Sequence, residues 1–296
     1  MVKLDQLTTE ARNPNTSRLD TMTPLEIVTI MNREDENVIQ GVKEVLAQVA
    51  SAIEWVKEAF EAGGRLIYMG AGTSGRLGVL DSVECPPTFG VSPDMVVGLI
   101  AGGDRAFVKA VEGAEDSETL AQEELEAQGL SSKDIVIGIA ASGRTPYVIS
   151  GLQYAHAVGC RTVAIACNKN SAVGAAADLA IEPEVGPEVL TGSTRLKAGT
   201  AQKMILNMIS TGAMVGIGKV YQNLMVDVMQ TNEKLCVRAH NIVREATGCS
   251  SERAAALLEE AGGSVKAAIV MELTGCTADE AVQKLEKARG HIRNCI

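Results

Sequence analysis

Residues 36–62 carry apolar side chains at Val38, Val42, Val45, Leu46, Val49, Ile53, Val56 and Phe60, spaced mostly three and four apart. That spacing lays one apolar stripe along a helix, and Gly63-Gly64 stops it. Upstream, Thr23, Pro24 and Glu26 give a capping-box pattern that opens a first helix through Leu25, Ile27, Val28 and Ile30. From residue 65 the period changes. Short apolar runs stand at 65–69 (RLIYM), 95–100 (MVVGLI), 134–140 (DIVIGIA), 162–166 (TVAIA) and 179–181, with helical stretches between most of them. Near-continuous apolar strands alternating with helices predict an α/β fold, a parallel sheet sandwiched by helices with right-handed crossovers. A long helix is expected from about 196 to 220, and a further helical stretch ends near Glu245.

The tail holds an internal repeat, TGCSSERAAALLEEAGG from Thr247 and TGCTADEAVQKLEKARG from Thr274. Each copy gives Thr-Gly-Cys, a capping Ser or Thr, then an Ala/Leu-rich helix, and Thr277 with Glu280 forms a second capping box. The expected organisation is an N-terminal arm with helices over 1–62, a sheet-bearing domain over 63–230, and a small helical C-terminal subdomain over 231–296. The subdomain is expected to serve packing or a dimer interface. The polar residues 1–22 read as either an ordered arm or a flexible tail.

Composition narrows the function classes. Aromatic residues are only 3% of the chain, so the core is built from Ala, Val, Ile, Leu and Met. The formal net charge of −10 argues against nucleic acid as a partner, because neutralising phosphates needs a basic surface. The polar start lacks the apolar core of a signal peptide, and no uninterrupted apolar run approaches the ~18 residues of a membrane span. A soluble cytoplasmic protein without membrane contact is expected. The seven cysteines are irregularly spaced and form no CxxC, which predicts reduced thiols. His156, His240 and His291 lie far apart, so neither a metal site nor a Ser-His-Asp triad is expected.

Candidate chemistry sits where strands end. In an open parallel sheet, ligands bind beyond the carboxyl ends of the strands. The first strand leads into Gly70-Ala71-Gly72-Thr73-Ser74-Gly75-Arg76, and the third into Ala141-Ser142-Gly143-Arg144-Thr145. Glycines admit a ligand close to the backbone, hydroxyls donate to anionic oxygens, and the following helix aims its positive end at the same place. The first turn fits GxGxxG, but the acidic residue that follows, Asp104, lies too far on for a dinucleotide fingerprint, and no Walker lysine is present. Two hydroxyl-bearing turns suit a monophosphate; the plain alternative is that the hydroxyls cap helices. A further cluster, Thr191-Gly192-Ser193-Thr194-Arg195-Leu196-Lys197, precedes the long helix. Arg76, Arg144, Arg195 and Lys197 are candidate charge partners, and ordinary salt bridges explain each equally well. The acidic candidates are Glu84, in a loop expected to be stiffened by Pro86-Pro87, and Glu115, just before a helix.

The stretches GAGTSGRLGVLDSVECPPTFG, AVEGAEDS, GIAASGRTPYV and GSTRLKAGTAQKMILNMIST together resemble the N-acetylmuramic acid 6-phosphate etherase family of the sugar isomerase (SIS) superfamily. The resemblance runs from TTEARNPNTSRLD in the arm through 223–238 (NLMVDVMQTNEKLCVR) into the tail. It implies cleavage of the D-lactyl ether of N-acetylmuramate 6-phosphate by elimination then hydration, giving N-acetylglucosamine 6-phosphate and D-lactate. By motif, Glu84 is implied as the acid that protonates lactate and later activates water, and Glu115 as the base at C2. Thr73, Ser74, Ser142 and Thr145 are implied as phosphate contacts. No cofactor is implied, since the open-chain aldehyde is the electron sink, and a homodimer is expected. Opposite roles for two carboxyls call for unequal pKa values. The glucokinase regulatory protein shares part of the pattern, so a non-catalytic sugar-phosphate sensor is the alternative. An aldose–ketose isomerase on the same fold is a third reading.

Overall fold

A computed structural model of the chain describes residues 7–109, 111–228 and 232–296. The start of the expected arm and the middle of the 223–238 stretch lie outside the described residues. The chain divides into two compact units. The first comprises Met1–Val83 and Asp94–Ser210, and the second Glu84–Pro93 and Thr211–Ile296.

The first unit holds the expected sheet, with short helices α4 (Arg105–Val108) and α7 (Ala172–Ala175) among its connections. Strands β1 (Leu66–Gly70), β2 (Val96–Ile100), β3 (Ile135–Ile139), β4 (Arg161–Ile165) and β5 (Leu179–Ile181) are all parallel, in the order β2-β1-β3-β4-β5. β1 and β3 are buried along their whole length, which is why they read as unbroken apolar runs. Because successive side chains alternate, Ile67 and Met69 join Val136 and Ala164 on one face. There they pack with α5 (Leu120–Ala127) and α6 (Pro146–Val158), through Leu125, Tyr147, Val148 and Leu152. Tyr68 points to the other face, where its hydroxyl donates to Asp81 of α3 (Gly72–Phe89) at 3.1 Å. Ser210 of α8 (Lys197–Gly216) donates to the same carboxylate at 3.2 Å.

Several expectations are corrected. The first two helices meet at Val45: α1 is Pro24–Glu44 and α2 is Leu46–Glu61. The expected gap after Ile30 does not exist, because residues 31–35 contain no helix breaker: Asn32, Arg33 and Asp35 face solvent, and Glu34 turns inward to a buried partner. The capping box of Thr23 and Glu26 forms as expected. The segment from Thr8 is an ordered arm of short 3₁₀ turns at Thr8–Glu10, Pro14–Thr16 and Leu19–Thr21. α8 ends at Gly216, short of the expected 220.

In the second unit, β6 (Val220–Tyr221) and β7 (Leu224–Met225) form a small antiparallel hairpin. The helices α9 (Glu233–Thr247), α10 (Ser251–Glu260), α11 (Val265–Thr274) and α12 (Ala278–Lys287) pack around Ile242, Val243, Leu257, Ile269 and Val270. The repeat is punctuation between helices. Gly248 ends α9 and Gly275 ends α11 in left-handed conformation, and Ser250 and Thr277 then cap α10 and α12. Among the described residues, no helix is long and apolar enough to cross a membrane.

Candidate active site

The order of the sheet places the site. From β1 the chain crosses to β2 on one side, and β3 then pairs with β1 on the other. The direction of winding therefore reverses between β1 and β3, and a crevice opens beyond their carboxyl ends. Gly70 and Ile139, the last residues of the two strands, stand opposite each other in register. The two hydroxyl-bearing segments thus leave from adjacent points.

The first segment is tighter than a loop. Only Ala71 separates β1 from α3, so Thr73 and Ser74 lie in the first turn of that helix. Gly72 makes the reversal at φ +54°, a conformation that favours glycine. A Cβ on Gly75 would lie 2.5 Å from the Gly70 carbonyl oxygen, so strand end and helix start cross at backbone contact. Their closeness brings the first amides of α3 to the mouth of the crevice. Ser74 is buried and its hydroxyl donates to Gln202 of α8 at 2.9 Å. Thr73 is half-buried, and its methyl lies beside Gly199, also in α8.

The second segment carries Ser142 and Thr145, both half-buried. Thr145 occupies the N-cap position of α6, followed by Pro146, yet its side chain makes no capping bond. Elsewhere the same position is mostly used: Thr23, Ser171, Asn232, Ser250, Ser264 and Thr277 each accept from a backbone N–H of the helix they start, while Thr119 at α5 and Asp104 at the short helix Arg105–Val108 do not. The Ser142 backbone is tied down by Asn168, whose amide donates to the Ser142 carbonyl at 3.1 Å and to the Thr9 hydroxyl at 2.9 Å. The Thr8 hydroxyl donates back to the Asn168 side-chain Oδ1 at 2.8 Å. The arm thus braces the hydroxyl-bearing turn through one asparagine that sequence reasoning passed over. The only hint was its place after a strand, in CNKNS.

Glu115 lies on an exposed 3₁₀ turn (Ala114–Asp116) in the segment after β2. It lines a cavity of about 220 Å³ with Gly72, Arg76, Ala101 and Val111. The Arg76 guanidinium donates to the carbonyls of Ala106 and Phe107, both at 2.8 Å, and so ties this segment to α3. Glu84 is not in a loop. α3 continues through Pro86 and Pro87 to Phe89, and Glu84 is exposed on it, more than three turns beyond Gly72. The prolines occupy the last turn, where their missing N–H groups leave only the carbonyls of Ser82 and Val83 without a helical donor. Glu84 belongs to the second unit and Glu115 to the first.

The third cluster has a different fate. Lys197 is 1% exposed, and its ammonium lies 2.9 Å from Glu34 of α1. The Glu34 carboxylate also accepts from Asn13 at 2.7 Å and Asn15 at 2.8 Å. The buried Glu188 carboxylate accepts from the backbone N–H groups of Lys197 and Ala198, both at 3.0 Å, closing the amino end of α8. Lys197 is therefore committed to an internal ion pair and is no charge partner for a ligand. Burial alone would raise the Glu34 carboxyl, but the bonds from Lys197, Asn15 and Asn13 outweigh it and hold it below its usual value. At Glu188 burial wins over the two backbone bonds and pushes the carboxyl up.

Residues 48–156 match the glucokinase regulatory protein N-terminal SIS domain, and residues 109–211 match the SIS domain. An N-acetylmuramic acid 6-phosphate etherase from Oenococcus oeni is 59% identical over 267 residues, 90% of each chain. Another from Geobacillus sp. (strain WCH70) is 60% identical over 267 residues, again 90% of each chain. Among solved structures, a phosphoheptose isomerase from Neisseria gonorrhoeae has TM-score 0.51 and 17% identity, covering 64% of this chain and 98% of that one. One from Francisella tularensis has TM-score 0.50 and 17% identity, covering 66% and 100%. The isomerases share the sheet and its helices, and at that identity the likeness speaks for the fold alone.

Proposed function

Because the chain belongs to the N-acetylmuramic acid 6-phosphate etherase family, we propose that it cleaves the D-lactyl ether of N-acetylmuramate 6-phosphate. The products are N-acetylglucosamine 6-phosphate and D-lactate, a step in recycling or catabolism of cell-wall amino sugars in the cytoplasm. The observation that carries the site is the Thr145 hydroxyl, uncommitted at the amino end of α6 and next to the β1–β3 switch point. A hydroxyl that merely capped its helix would accept from the α6 backbone, as six comparable side chains do at their own helices.

Thr73, Ser74, Ser142 and Thr145 hold the phosphate, with the first amides of α3 and α6 adding donors. With the sugar open as its aldehyde, the carbonyl at C1 acidifies the proton at C2. Glu115 takes that proton, and the electron pair moves to expel the C3 oxygen, which Glu84 protonates as lactate leaves. Glu84, now a carboxylate, activates a water that adds at C3 of the unsaturated aldehyde, while C2 regains a proton. The balance is one ether and one water consumed, one alcohol and one hydroxy acid formed. The working form is a homodimer, a reading supported by Leu25, Val28 and Ile39 of α1, which a single chain leaves exposed.

Incubating the protein with N-acetylmuramate 6-phosphate and assaying D-lactate tests the reaction. Stoichiometric D-lactate and N-acetylglucosamine 6-phosphate are expected. Tight binding without lactate release would instead make the protein a sugar-phosphate sensor, the second reading favoured by the match to the glucokinase regulatory domain over 48–156.

A further inference from the structure

Gln202 is 1% exposed and Ser74 6% exposed, and the Ser74 hydroxyl donates to Gln202 Oε1 at 2.9 Å. Gln202 Nε2 is enclosed and has no hydrogen-bond partner among the described residues. A serine hydroxyl has one proton, and here it is spent on the amide. Phosphate oxygens only accept. In this arrangement Ser74 turns lone pairs, not a donor, toward any anion at the amino end of α3, and two buried amide protons go unused.

We propose that Gln202 sets the donor–acceptor polarity of Ser74, and that its amide turns over when an anionic oxygen binds at the amino end of α3. After the turn Nε2 donates to Ser74 Oγ, and the Ser74 proton is released to the anion. The exchange leaves Oε1 without a partner in place of Nε2. Buried carbonyl oxygens tolerate that better than buried N–H groups do, so the turned state is penalised no more than the present one and gains a charge-assisted bond. Gln202 is thus a positioning residue that acts through Ser74. This inference rests on the reading of Ser74 as a phosphate contact.

The test compares S74A, Q202M, Q202E and the double variant S74A/Q202E, with kcat and KM for N-acetylmuramate 6-phosphate and a melting temperature for each. S74A is expected to raise KM roughly tenfold or more. Q202E is expected to raise it at least as much, because a carboxylate accepts the Ser74 proton and cannot give one back. Q202M removes the competing acceptor and the positioning donor together at similar volume, so KM rises, but less than in S74A, because the Ser74 proton is free but no longer aimed. In the S74A background Q202E adds less than about threefold, since its route of action is gone. An equal rise in KM for Q202M and S74A would overturn the proposal, as would a full Q202E effect in the double variant, which would mean a charge acting directly on the anion. If Q202E does not fold, the comparison of Q202M with S74A still decides. An unchanged KM in S74A alone would remove the phosphate reading of Ser74 itself, and this inference with it.

Discussion

The amino ends of α6 and α8 carry similar residue types and are closed differently. At α8 the protein supplies its own anion. The Glu188 carboxylate sits on the first backbone N–H groups, and the nearby Lys197 ammonium is spent on Glu34. At α6 the N-cap residue is Thr145, and its hydroxyl is not engaged as a cap. A helix start attracts negative charge wherever it occurs. On the proposed reading, a Ser/Thr-rich segment before a helix becomes a ligand site only where the fold withholds its own carboxylate.

If that contrast is right, exposed carboxylates act in chemistry and buried ones in architecture. The largest effect is expected from Glu84→Gln and Glu115→Gln. Each should lower kcat by about 10²–10⁴-fold with an unchanged melting temperature, since both side chains are exposed. Near-normal turnover in either variant would remove that residue from the reaction. Next comes Lys197→Met, which strands the buried Glu34 carboxylate and should cost about 3–5 kcal/mol of stability. Denaturant unfolding measures that loss, and KM of the folded fraction should stay close to the parent's. A KM effect larger than the stability effect would break the comparison, by placing Lys197 on the ligand.

A smaller pair of changes sharpens it. Thr145→Ala should raise KM roughly tenfold, the worth of a hydrogen bond to a charged group, and move stability by no more than about 0.5 kcal/mol. Ser250→Ala removes a hydroxyl that does cap, so it should lose about 1 kcal/mol of stability and leave KM alone. The same chemical deletion thus reads out in binding at one helix and in folding at the other. A stability loss at Thr145 matching that at Ser250 would reduce Thr145 to a cap.

Legibility in the sequence followed the range of the interaction. The five strands and both capping boxes depend on neighbours within a few residues, and the apolar runs and the Thr-x-x-Glu spacing announced them. The hydroxyl-bearing segments were visible for the same reason. What escaped notice is long-range or compensated. Glu34 and Lys197 are 163 positions apart, and Thr9 and Asn168 are 159 apart, so nothing local marks either pair. Pro86-Pro87 suggested a loop at Glu84 because proline usually breaks a helix. In the last turn the same residues can be carried, and the helix simply stops at Gly90, whose N–H bonds the Pro86 carbonyl at 2.9 Å. The hairpin of β6 and β7, with two residues per strand, is too short to leave a periodic trace.

The gentlest test separates charge from packing in the closed cluster. The folded-state pKa of Glu34 is depressed below its usual 4.5. Its contribution to stability is therefore fully present above that value and is lost as pH falls through the folded pKa. The Glu188 pKa is raised, chiefly by burial, with the Asp35 charge adding to it and Lys197 opposing. Its contribution has the other sign, present at low pH and lost as pH rises through the folded pKa. Removing the ammonium in Lys197→Met would let Glu34 rise and Glu188 rise further, so both changes penalise the variant most at neutral pH. The gap in melting temperature between parent and variant should therefore be widest near neutral pH and narrow in acid, as Glu34 takes up a proton and no longer needs its partner. A gap that stays constant with pH would assign the loss to the lysine's buried methylenes rather than to its charge, and the closed end of α8 would then be a matter of packing.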